Sequence, residues 1–215
     1  MSSSTDSTVS IASREFKWTD SAKTTAHSYL VPPTIKILRE QSARTVLDLG
    51  CGNGSFSAVL QSQGFGVVGC DVSESGIAFA RQAHPSIDFF EHDISQPMPS
   101  RYAGPYDAVV ALEVVEHLML PRQLVGGAYK ALRPGGVLVL STPYHGYWKN
   151  MALALTDRFD DHWHPLRDFG HVKFFSRKTL SLLAQEAGFS IKDFIRVGRI
   201  PLFACSMIVV AVKPQ

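Results

Sequence analysis

The sequence predicts an α/β protein of the doubly wound kind, with a mostly parallel sheet flanked by helices. Short apolar runs of strand length alternate along the chain with segments of helical periodicity, and this alternation is typical of a parallel sheet covered on both faces. The last two apolar runs, at roughly 190–199 and 204–213, are separated only by a short turn at Ile200-Pro201. Because so short a connection joins only antiparallel strands, we expect the sheet to end in a C-terminal antiparallel hairpin.

Five further strands and five helices complete the predicted element order. The strands are the apolar runs at 46–49, 67–71, 87–93, 106–112 and 136–142. The helical segments, the first of them interrupted at Pro32-Pro33, fall at roughly 21–41, 54–63, 74–83, 121–132 and 177–187. With the hairpin the strands number seven, so we expect a seven-stranded sheet with helices on both faces.

The composition is that of one ordinary globular domain. The chain has 215 residues, 45% of them hydrophobic, and this length is enough for a full α/β core. We predict a disordered tail rich in Ser and Thr at 1–13 and a single domain at 14–215. The tail lacks the apolar segment of a secretion signal, and the three cysteines form no C-x-x-C pair. We therefore expect a cytoplasmic protein with reduced cysteines.

The charge is small overall but uneven along the chain. The formal net charge is +2 at pH 7, which by itself implies neither a nucleic-acid nor a membrane partner. Residues 1–120 carry 8 basic and 13 acidic side chains, whereas residues 121–215 carry 13 basic and 6 acidic ones. The basic C-terminal half could attract an anionic substrate, although basic side chains on solvated helix faces are the commoner explanation.

The first strand runs directly into three glycines at alternate positions, Gly50-x-Gly52-x-Gly54. A turn with so little side-chain bulk lets a ligand lie against backbone N–H groups at the start of the following helix. Ser55 stands where the dinucleotide fingerprint G-x-G-x-x-G would have its last glycine, so the spacing argues against an NAD-dependent oxidoreductase. Asp48 adds a carboxylate beneath the turn, which suits a cationic ligand. Taken alone, the segment is also consistent with a simple tight turn.

Acidic residues at the ends of the next two strands make the ligand-binding interpretation stronger. Asp71 ends the second strand, 23 residues after Asp48, close to the spacing of a ribose-binding acid. Asp93 ends the third predicted strand. Open α/β sheets bind ligands at the carboxyl ends of their strands, so we expect these side chains to converge on one ligand.

The segment Asp48-Leu49-Gly50-Cys51-Gly52-Asn53-Gly54 resembles the first motif of the class I, Rossmann-like S-adenosylmethionine (SAM) methyltransferases. The resemblance implies SAM as cofactor, with Asp71 on the ribose, Asp93 at the adenine amino group and the Ile94 N–H beside it. The full set of cofactor contacts that we expect is Asp48, Gly50, Cys51, Gly52, Gly54, Asp71, Val72, Asp93, Ile94 and Leu112.

Immediately after the fourth strand comes Glu113-Val114-Val115-Glu116-His117. If a helix begins there, both glutamates and the histidine fall on one face. The segment resembles the E-x-x-E-H pattern of ubiquinone-pathway O-methyltransferases and of methyltransferases that cap small-RNA 3′ ends. That resemblance implies catalytic roles for Glu116, His117 and the later His171, and a divalent metal held by these three together with Glu113. The mixed ligand set suits Mg²⁺, Mn²⁺, Fe²⁺ or Co²⁺. A metal-free site, in which the histidine packs against cofactor or binds substrate, is the alternative.

The long connection at 144–170 is rich in aromatic and histidine side chains. Connections of this length are usually functional, so we expect a substrate cap at the carboxyl edge of the sheet, with a short helix at 151–155. A loop packed by its own aromatics and an amphipathic helix touching a membrane are the alternatives. His162 and His164 are either a second ligand cluster or polar cap residues, with Trp163 as an anchor. Trp18 and Tyr29 are expected to close over the methionine end of the cofactor.

Together these features predict a SAM-dependent O-methyltransferase that acts on a small hydroxylated aromatic or isoprenoid-like acceptor. Methylation of an RNA terminal ribose would use a divalent metal in the same way. Against this alternative, the sequence shows no appended RNA-binding domain and no dense basic-aromatic surface. A nucleic-acid partner is therefore not expected. A SAM-binding subunit without catalysis is the remaining alternative.

Overall fold

The computed structural model describes residues 18, 26–163, 166–167 and 170–215. The predicted tail at 1–13 and His164 lie outside the described residues. The strands are β1 Thr45–Leu49, β2 Gly66–Asp71, β3 Asp88–Glu91, β4 Tyr106–Leu112, β5 Leu132–Pro143, β6 Ser190–Val197 and β7 Ser206–Val212. The α-helices are α1 His27–Glu40, α2 Ser55–Ser62, α3 Glu74–Ala83, α4 Pro121–Ala131, α5 Tyr147–Leu155, α6 Phe159–Trp163 and α7 Arg177–Glu186.

The seven strands form one sheet in the order β3-β2-β1-β4-β5-β7-β6. Neighbours from β3 to β5 pair in parallel, whereas β7 is antiparallel to both β5 and β6. The predicted Rossmann-like fold, with a mostly parallel seven-stranded sheet and a C-terminal antiparallel hairpin, is confirmed. The strand order reverses between β1 and β4, and the crevice at such a switch point is where doubly wound folds bind ligands.

The central strands are buried on both faces, as parallel strands covered by helices must be. Leu138 and Leu140 of β5 belong to the apolar cluster on one face, and Val137 and Val139 belong to the cluster on the other. All four side chains are fully buried. This rigid centre fixes the carboxyl ends of β1, β4 and β5, from which the candidate site is built.

Helix α1 runs without interruption through Pro32 and Pro33, so the predicted break there is wrong. Proline holds a helical φ but has no N–H to donate to the carbonyl four residues earlier. The helix persists because it buries an apolar stripe against the sheet, including Leu30, Ile37 and Leu38, and this burial offsets the missing bonds.

The connection after β5 contains α5 and α6, so the short helix predicted there is present and longer than expected. The β6–β7 connection contains a single 3₁₀ turn, Pro201–Phe203, which packs against α5. Among the described residues, no helix combines the length and apolar character that crossing a bilayer requires.

Candidate active site

The glycine turn after β1 is held in a conformation that other residues rarely adopt. Gly50, Gly52 and Gly54 have φ values of +79°, +54° and +76°. A Cβ on Gly50 would lie 2.5 Å from Cγ2 of Val114, and one on Gly54 would lie 2.8 Å from Cβ of Ala80. The first and third glycines are therefore required by internal packing as well as by backbone conformation.

Asp71, at the end of β2, organises this turn through its carboxylate. The Gly52 backbone N–H donates to Oδ2 and the Ser73 N–H donates to Oδ1, both at 2.8 Å. Each carboxylate oxygen can accept a second hydrogen bond. The residue predicted to bind ribose thus also ties β2 to the glycine turn, a second role that its spacing in the sequence did not indicate.

Asp48 lies beneath the turn and is almost fully buried, with 2% of its surface exposed. The Ser57 hydroxyl donates to its Oδ2. Burial raises the pKa of Asp48 to about 7, although the Ser57 hydrogen bond works in the opposite direction. A positively charged ligand nearby would favour the ionised carboxylate. The cationic ligand expected from the sequence stays a prediction.

A cavity of about 160 Å³ opens at the glycine turn, and we call it the turn cavity. Five of the predicted cofactor residues line it, namely Asp48, Gly50, Cys51, Gly52 and Leu112. The other lining residues are Trp18, Ala26, His27, Leu30, Asn53, Ser55, Phe56 and Glu113. Of these, Trp18 alone was singled out from the sequence as a cofactor contact. The α1 residues could not be found from any motif, because that helix approaches the turn only through tertiary packing.

The remaining predicted cofactor residues, Gly54, Asp71, Val72, Asp93 and Ile94, are outside the lining of the turn cavity. Asp93 follows the end of β3 by two residues, and its Oδ1 accepts the Ser95 N–H at 2.8 Å. The carboxyl ends of β2 and β3 are adjacent in the sheet, so Asp71 and Asp93 lie along the same edge.

Trp18 and Tyr29 are in different places. The indole of Trp18 covers the glycine turn, since a Cβ on Gly52 would lie 2.3 Å from its Cζ2. Its backbone N–H donates to the Ser75 hydroxyl at 3.2 Å. Tyr29 instead lines a second cavity beyond Glu113. The two aromatics thus cover two neighbouring spaces and not one.

The expected helix beginning at Glu113 is not present. Glu113 has a φ of +56°, and only Val115–His117 form a single 3₁₀ turn before α4 starts at Pro121. The left-handed backbone turns Glu113 away from the face that a helix would give it. The Ser141 and Ser206 hydroxyls donate to its two carboxylate oxygens at 2.8 and 3.0 Å. Burial raises the pKa of Glu113.

Glu116, His117 and His171 come together even so. One ligand atom from each lies within 4.8 Å of the other two. Glu113, the fourth predicted ligand, is outside this group. Glu116 is 1% exposed, and neither of its carboxylate oxygens has a hydrogen-bond partner in the described part of the chain. Burial and then the charge of Glu113 raise the pKa of Glu116 well above its usual range.

Main-chain bonds hold the three ligand candidates in place. The carbonyl of Glu116 accepts the N–H groups of Val172 and Lys173, both at 2.9 Å. The Nδ1 of His117 lies 3.2 Å from the Gly170 carbonyl, which can only accept, so Nδ1 is the donor in this contact and a neutral ring would present its lone pair at Nε2. This is how ligating histidines are commonly oriented in metal sites.

A second cavity, of about 520 Å³, lies between the 144–170 segment and the β6–β7 connection, and we call it the insertion cavity. Its walls are Tyr29, Glu113, Pro143, Lys149, Ala152, Leu153, Thr156, Arg158, His162, His171, Arg199, Phe203, Ala204, Cys205 and Ser206. Glu113 lines this cavity as well as the turn cavity. His171 joins it to the cluster of ligand candidates.

Aromatic packing holds the 144–170 segment together beside this cavity. The ring of Trp163 lies 4.5 Å from His145 and 4.2 Å from Phe174, measured between centroids. His162 packs on Trp163 at 4.8 Å. Burial lowers the pKa of His145 to about 3, so this imidazole is neutral. Trp163 therefore acts as the anchor that the sequence predicted, and the segment is packed by its own aromatics as well as lining a cavity.

Comparison with known proteins identifies the family. The methyltransferase domain family matches residues 24–193, well over half of the chain. The ubiquinone biosynthesis O-methyltransferase of Pseudomonas paraeruginosa is 27% identical over 165 residues, which cover 75% of this chain and 71% of that protein.

Solved structures show the same fold. The magnesium protoporphyrin IX methyltransferase of Synechocystis PCC 6803, solved with bound S-adenosylhomocysteine, matches with a TM-score of 0.66 and 22% identity over 85% of this chain and 81% of its own. A SAM-dependent methyltransferase of Methanosarcina mazei matches with a TM-score of 0.65 and 22% identity, over 86% and 99% of the two chains. The chain therefore belongs to the methyltransferase domain family and is a SAM-dependent methyltransferase.

Proposed function

We propose that the protein transfers the methyl group to a hydroxyl of a small acceptor, aromatic or isoprenoid-like, bound in the insertion cavity. The observation that carries this proposal is the position of Glu113, which lines both cavities. A donor in the turn cavity and an acceptor in the insertion cavity would meet at this residue. The similarity to an O-methyltransferase of ubiquinone biosynthesis supports the same reaction class.

The chemistry asks little of the protein beyond alignment. The methyl group of SAM is carried on a positively charged sulfur, so a nucleophile that is held in line attacks it readily. Such positioning can supply about 7–11 kcal/mol of the barrier. A hydroxyl must also lose its proton, and His171, which lines the insertion cavity and belongs to the cluster with Glu116 and His117, is a candidate to assist that loss.

We propose further that Glu116, His117 and His171 hold a divalent ion. The buried carboxylate of Glu116 without hydrogen-bond partners and the orientation of His117 by Gly170 fit such a group, since buried charges are normally paired or bind metals. When bound, the ion supplies Lewis-acid chemistry that lowers the pKa of a coordinated hydroxyl. Glu113, which accepts bonds from two serines, remains a predicted fourth ligand.

Calorimetry with S-adenosylhomocysteine tests the cofactor contacts. We expect Asp71→Ala to weaken binding by about 1.5–3 kcal/mol, the usual contribution of hydrogen bonds to a charged group, because both the predicted ribose contact and the bond to Gly52 are lost. Asp193→Ala on the exposed face of β6 is the matched control and should leave affinity unchanged. Equal affinity of the wild type and Asp71→Ala would mean that the ribose binds elsewhere.

Titration of chelator-treated protein with Mg²⁺, Mn²⁺, Fe²⁺ and Co²⁺ tests the metal group directly. The wild type should bind at least one of these ions. Glu116→Gln and His171→Ala should lose that binding, because each removes one of three ligands. His84→Ala, which changes a histidine outside both cavities, should bind as the wild type does. Wild-type affinity in Glu116→Gln would refute the site.

Product analysis by mass spectrometry tests the acceptor class. We expect methylated product from catechols or prenylated phenols, and none from RNA with a labelled 3′ end. Product from RNA alone would favour methylation of a terminal ribose. Binding of S-adenosylhomocysteine without product from any acceptor or ion would favour a SAM-binding subunit without catalysis.

A further inference from the structure

The insertion cavity is lined by more positive than negative charge. Lys149, Arg158 and Arg199 line it, together with the imidazoles of His162 and His171. Among the described lining residues, Glu113 carries the only carboxylate. That carboxylate accepts the Ser141 and Ser206 hydroxyls, and one carboxylate offsets at most one of the three cationic side chains.

None of the three cations forms an ion pair within the described part of the chain. The four ion pairs found there use Lys36, Arg101, Arg122 and Arg133. Asp157 and Asp160 flank Arg158 in sequence but do not pair with it at ion-pair distance. An uncompensated group of cations around a concave site raises the local concentration of anions.

The three cationic side chains differ in how many hydrogen-bond donors they have available for a ligand. The Lys149 ammonium donates to the carbonyls of Tyr144, Ala204 and Cys205 at 2.9, 3.2 and 3.5 Å, so its three donors are used although its charge remains. Arg158 and Arg199 are exposed side chains that line the cavity, one from the segment after α5 and the other from the β6–β7 connection. A guanidinium presents a planar fork of donors that matches an oxyanion.

We propose that the methyl acceptor carries an oxyanion, a carboxylate or a phosphate ester, which Arg158 and Arg199 bind while the acceptor hydroxyl points toward Glu113 and His171. This inference rests on the proposed function and narrows its substrate class. The charge excess of the C-terminal half, 13 basic against 6 acidic side chains over residues 121–215, is concentrated in part around this cavity. A purely apolar phenol would leave both guanidinium groups without an anionic partner, so an acceptor with an oxyanion is expected to be the better substrate.

A matched set of catechols tests this inference on protein saturated with S-adenosylhomocysteine. The probes are 3,4-dihydroxybenzoate, its neutral methyl ester, and 3,4-dihydroxybenzyl phosphate, each titrated by calorimetry at low and high salt. We expect at least one anionic probe to bind about tenfold or more tighter than the ester, as hydrogen bonds to a charged group would give. Added salt should reduce this difference. Tighter binding of the carboxylate or of the phosphate ester identifies which oxyanion the site takes.

Arg158→Ala and Arg199→Ala should each weaken binding of the preferred anion by about tenfold and leave binding of the ester unchanged. Arg199→Lys should fall in between, because it keeps the charge but loses the fork. Arg101→Ala, which breaks a surface pair with Asp88, is the control and should change neither. Equal binding of anions and ester, or equal losses for both in the arginine variants, overturns the inference. Failure to bind S-adenosylhomocysteine would instead overturn the cofactor site beneath it.

Discussion

The turn cavity and the insertion cavity share Glu113 but are built differently. The turn cavity is built around the backbone at the end of β1, with a buried carboxylate beneath it. This backbone is tied to β2 by the Gly52 N–H bond to Asp71 and by the Gly50 and Cys51 N–H bonds to the Cys70 carbonyl. The insertion cavity is assembled from segments far apart in the chain, including α5, the 170–173 stretch and the β6–β7 connection. One is an extension of the sheet, and the other is a set of surface segments joined by a few polar contacts.

The difference indicates that the two substrates are bound under different structural constraints. A ligand held by main-chain groups of a rigid sheet is bound in one way only, since the backbone there cannot move without disturbing the core. Walls made of loop and helix side chains tolerate substitution more readily. Donor binding is thus expected to depend on conformation and packing, and acceptor binding on the charge and shape of individual side chains.

The largest expected effect comes from adding a methyl group to the glycine turn. In Gly52→Ala, the new Cβ would lie 2.3 Å from the Trp18 ring, at a φ of +54°. Left-handed strain and overpacking together should lower the free energy of unfolding by about 2–5 kcal/mol. The same methyl group should also abolish measurable binding of S-adenosylhomocysteine, because it would displace the Trp18 ring and distort the turn that lines the turn cavity. Chemical denaturation and calorimetry measure the two effects.

Gly127→Ala is the control for the same chemical change. Gly127 lies in α4 without an unusual φ, and a Cβ there would meet no atom within 4 Å. Alanine in an open helical position should raise the free energy of unfolding by about 0.5–1 kcal/mol. Normal stability and ligand binding in Gly52→Ala would mean that the turn is far less constrained than its geometry indicates.

A smaller effect should appear as a pH dependence centred on Asp48. Its pKa of about 7 in the folded protein exceeds the ordinary value of 3.8, so the folded state binds more protons than the unfolded state over this interval. The stability of the ligand-free protein should therefore fall as pH rises from about 4 to 7, at up to about 1.4 kcal/mol per pH unit. Denaturation at several pH values measures this. The free energy of unfolding of Asp48→Asn, relative to that of the wild type, should rise from about pH 4 to pH 7 and stay constant above pH 7.

Asp107, at the opposite end of the sheet, should behave in the reverse manner. Burial alone would raise its pKa, but bonds from Arg133, Thr45 and Arg44 outweigh burial and lower it. Its contribution to stability is therefore present above the unfolded pKa and lost as pH falls below about 4. Asp107→Asn should thus lower the free energy of unfolding most at neutral pH, where Asp48→Asn is expected to raise it relative to the wild type. Parallel pH profiles for the two variants would contradict both assignments.

The sequence predicted residues of the turn cavity better than residues of the insertion cavity. Asp48, Gly50, Gly52 and Leu112 could be placed beside the turn cavity from the sequence, because adjacent parallel strands bring their ends together regardless of loop detail. Glu113 was assigned to a helical face from its spacing to Glu116, but its left-handed backbone depends on Ser141 and Ser206 of other strands. Arg199 could not be placed in a cavity at all, since no local pattern encodes contact between its loop and α5.

The smallest expected effect concerns the contact that joins the walls of the insertion cavity. Lys149 donates from α5 to the carbonyls of Tyr144 and Ala204, so Lys149→Met keeps the apolar stem and leaves acceptors unpaired. Leaving a buried polar group without its partner costs about 1–3 kcal/mol. We expect this cost as local opening, with faster amide hydrogen exchange in α5 and the Pro201–Phe203 turn.

Exchange in β1 and β2 should be the same in Lys149→Met as in the wild type, and so should the affinity for S-adenosylhomocysteine, because Lys149 does not line the turn cavity. The selectivity for anionic acceptors should fall, since the walls that carry Arg158 and Arg199 lose a common support. If exchange rose throughout the sheet, the two cavities would be one cooperative unit. The independence of donor and acceptor binding expected from their construction would then be wrong, because opening one wall would also disturb the glycine turn.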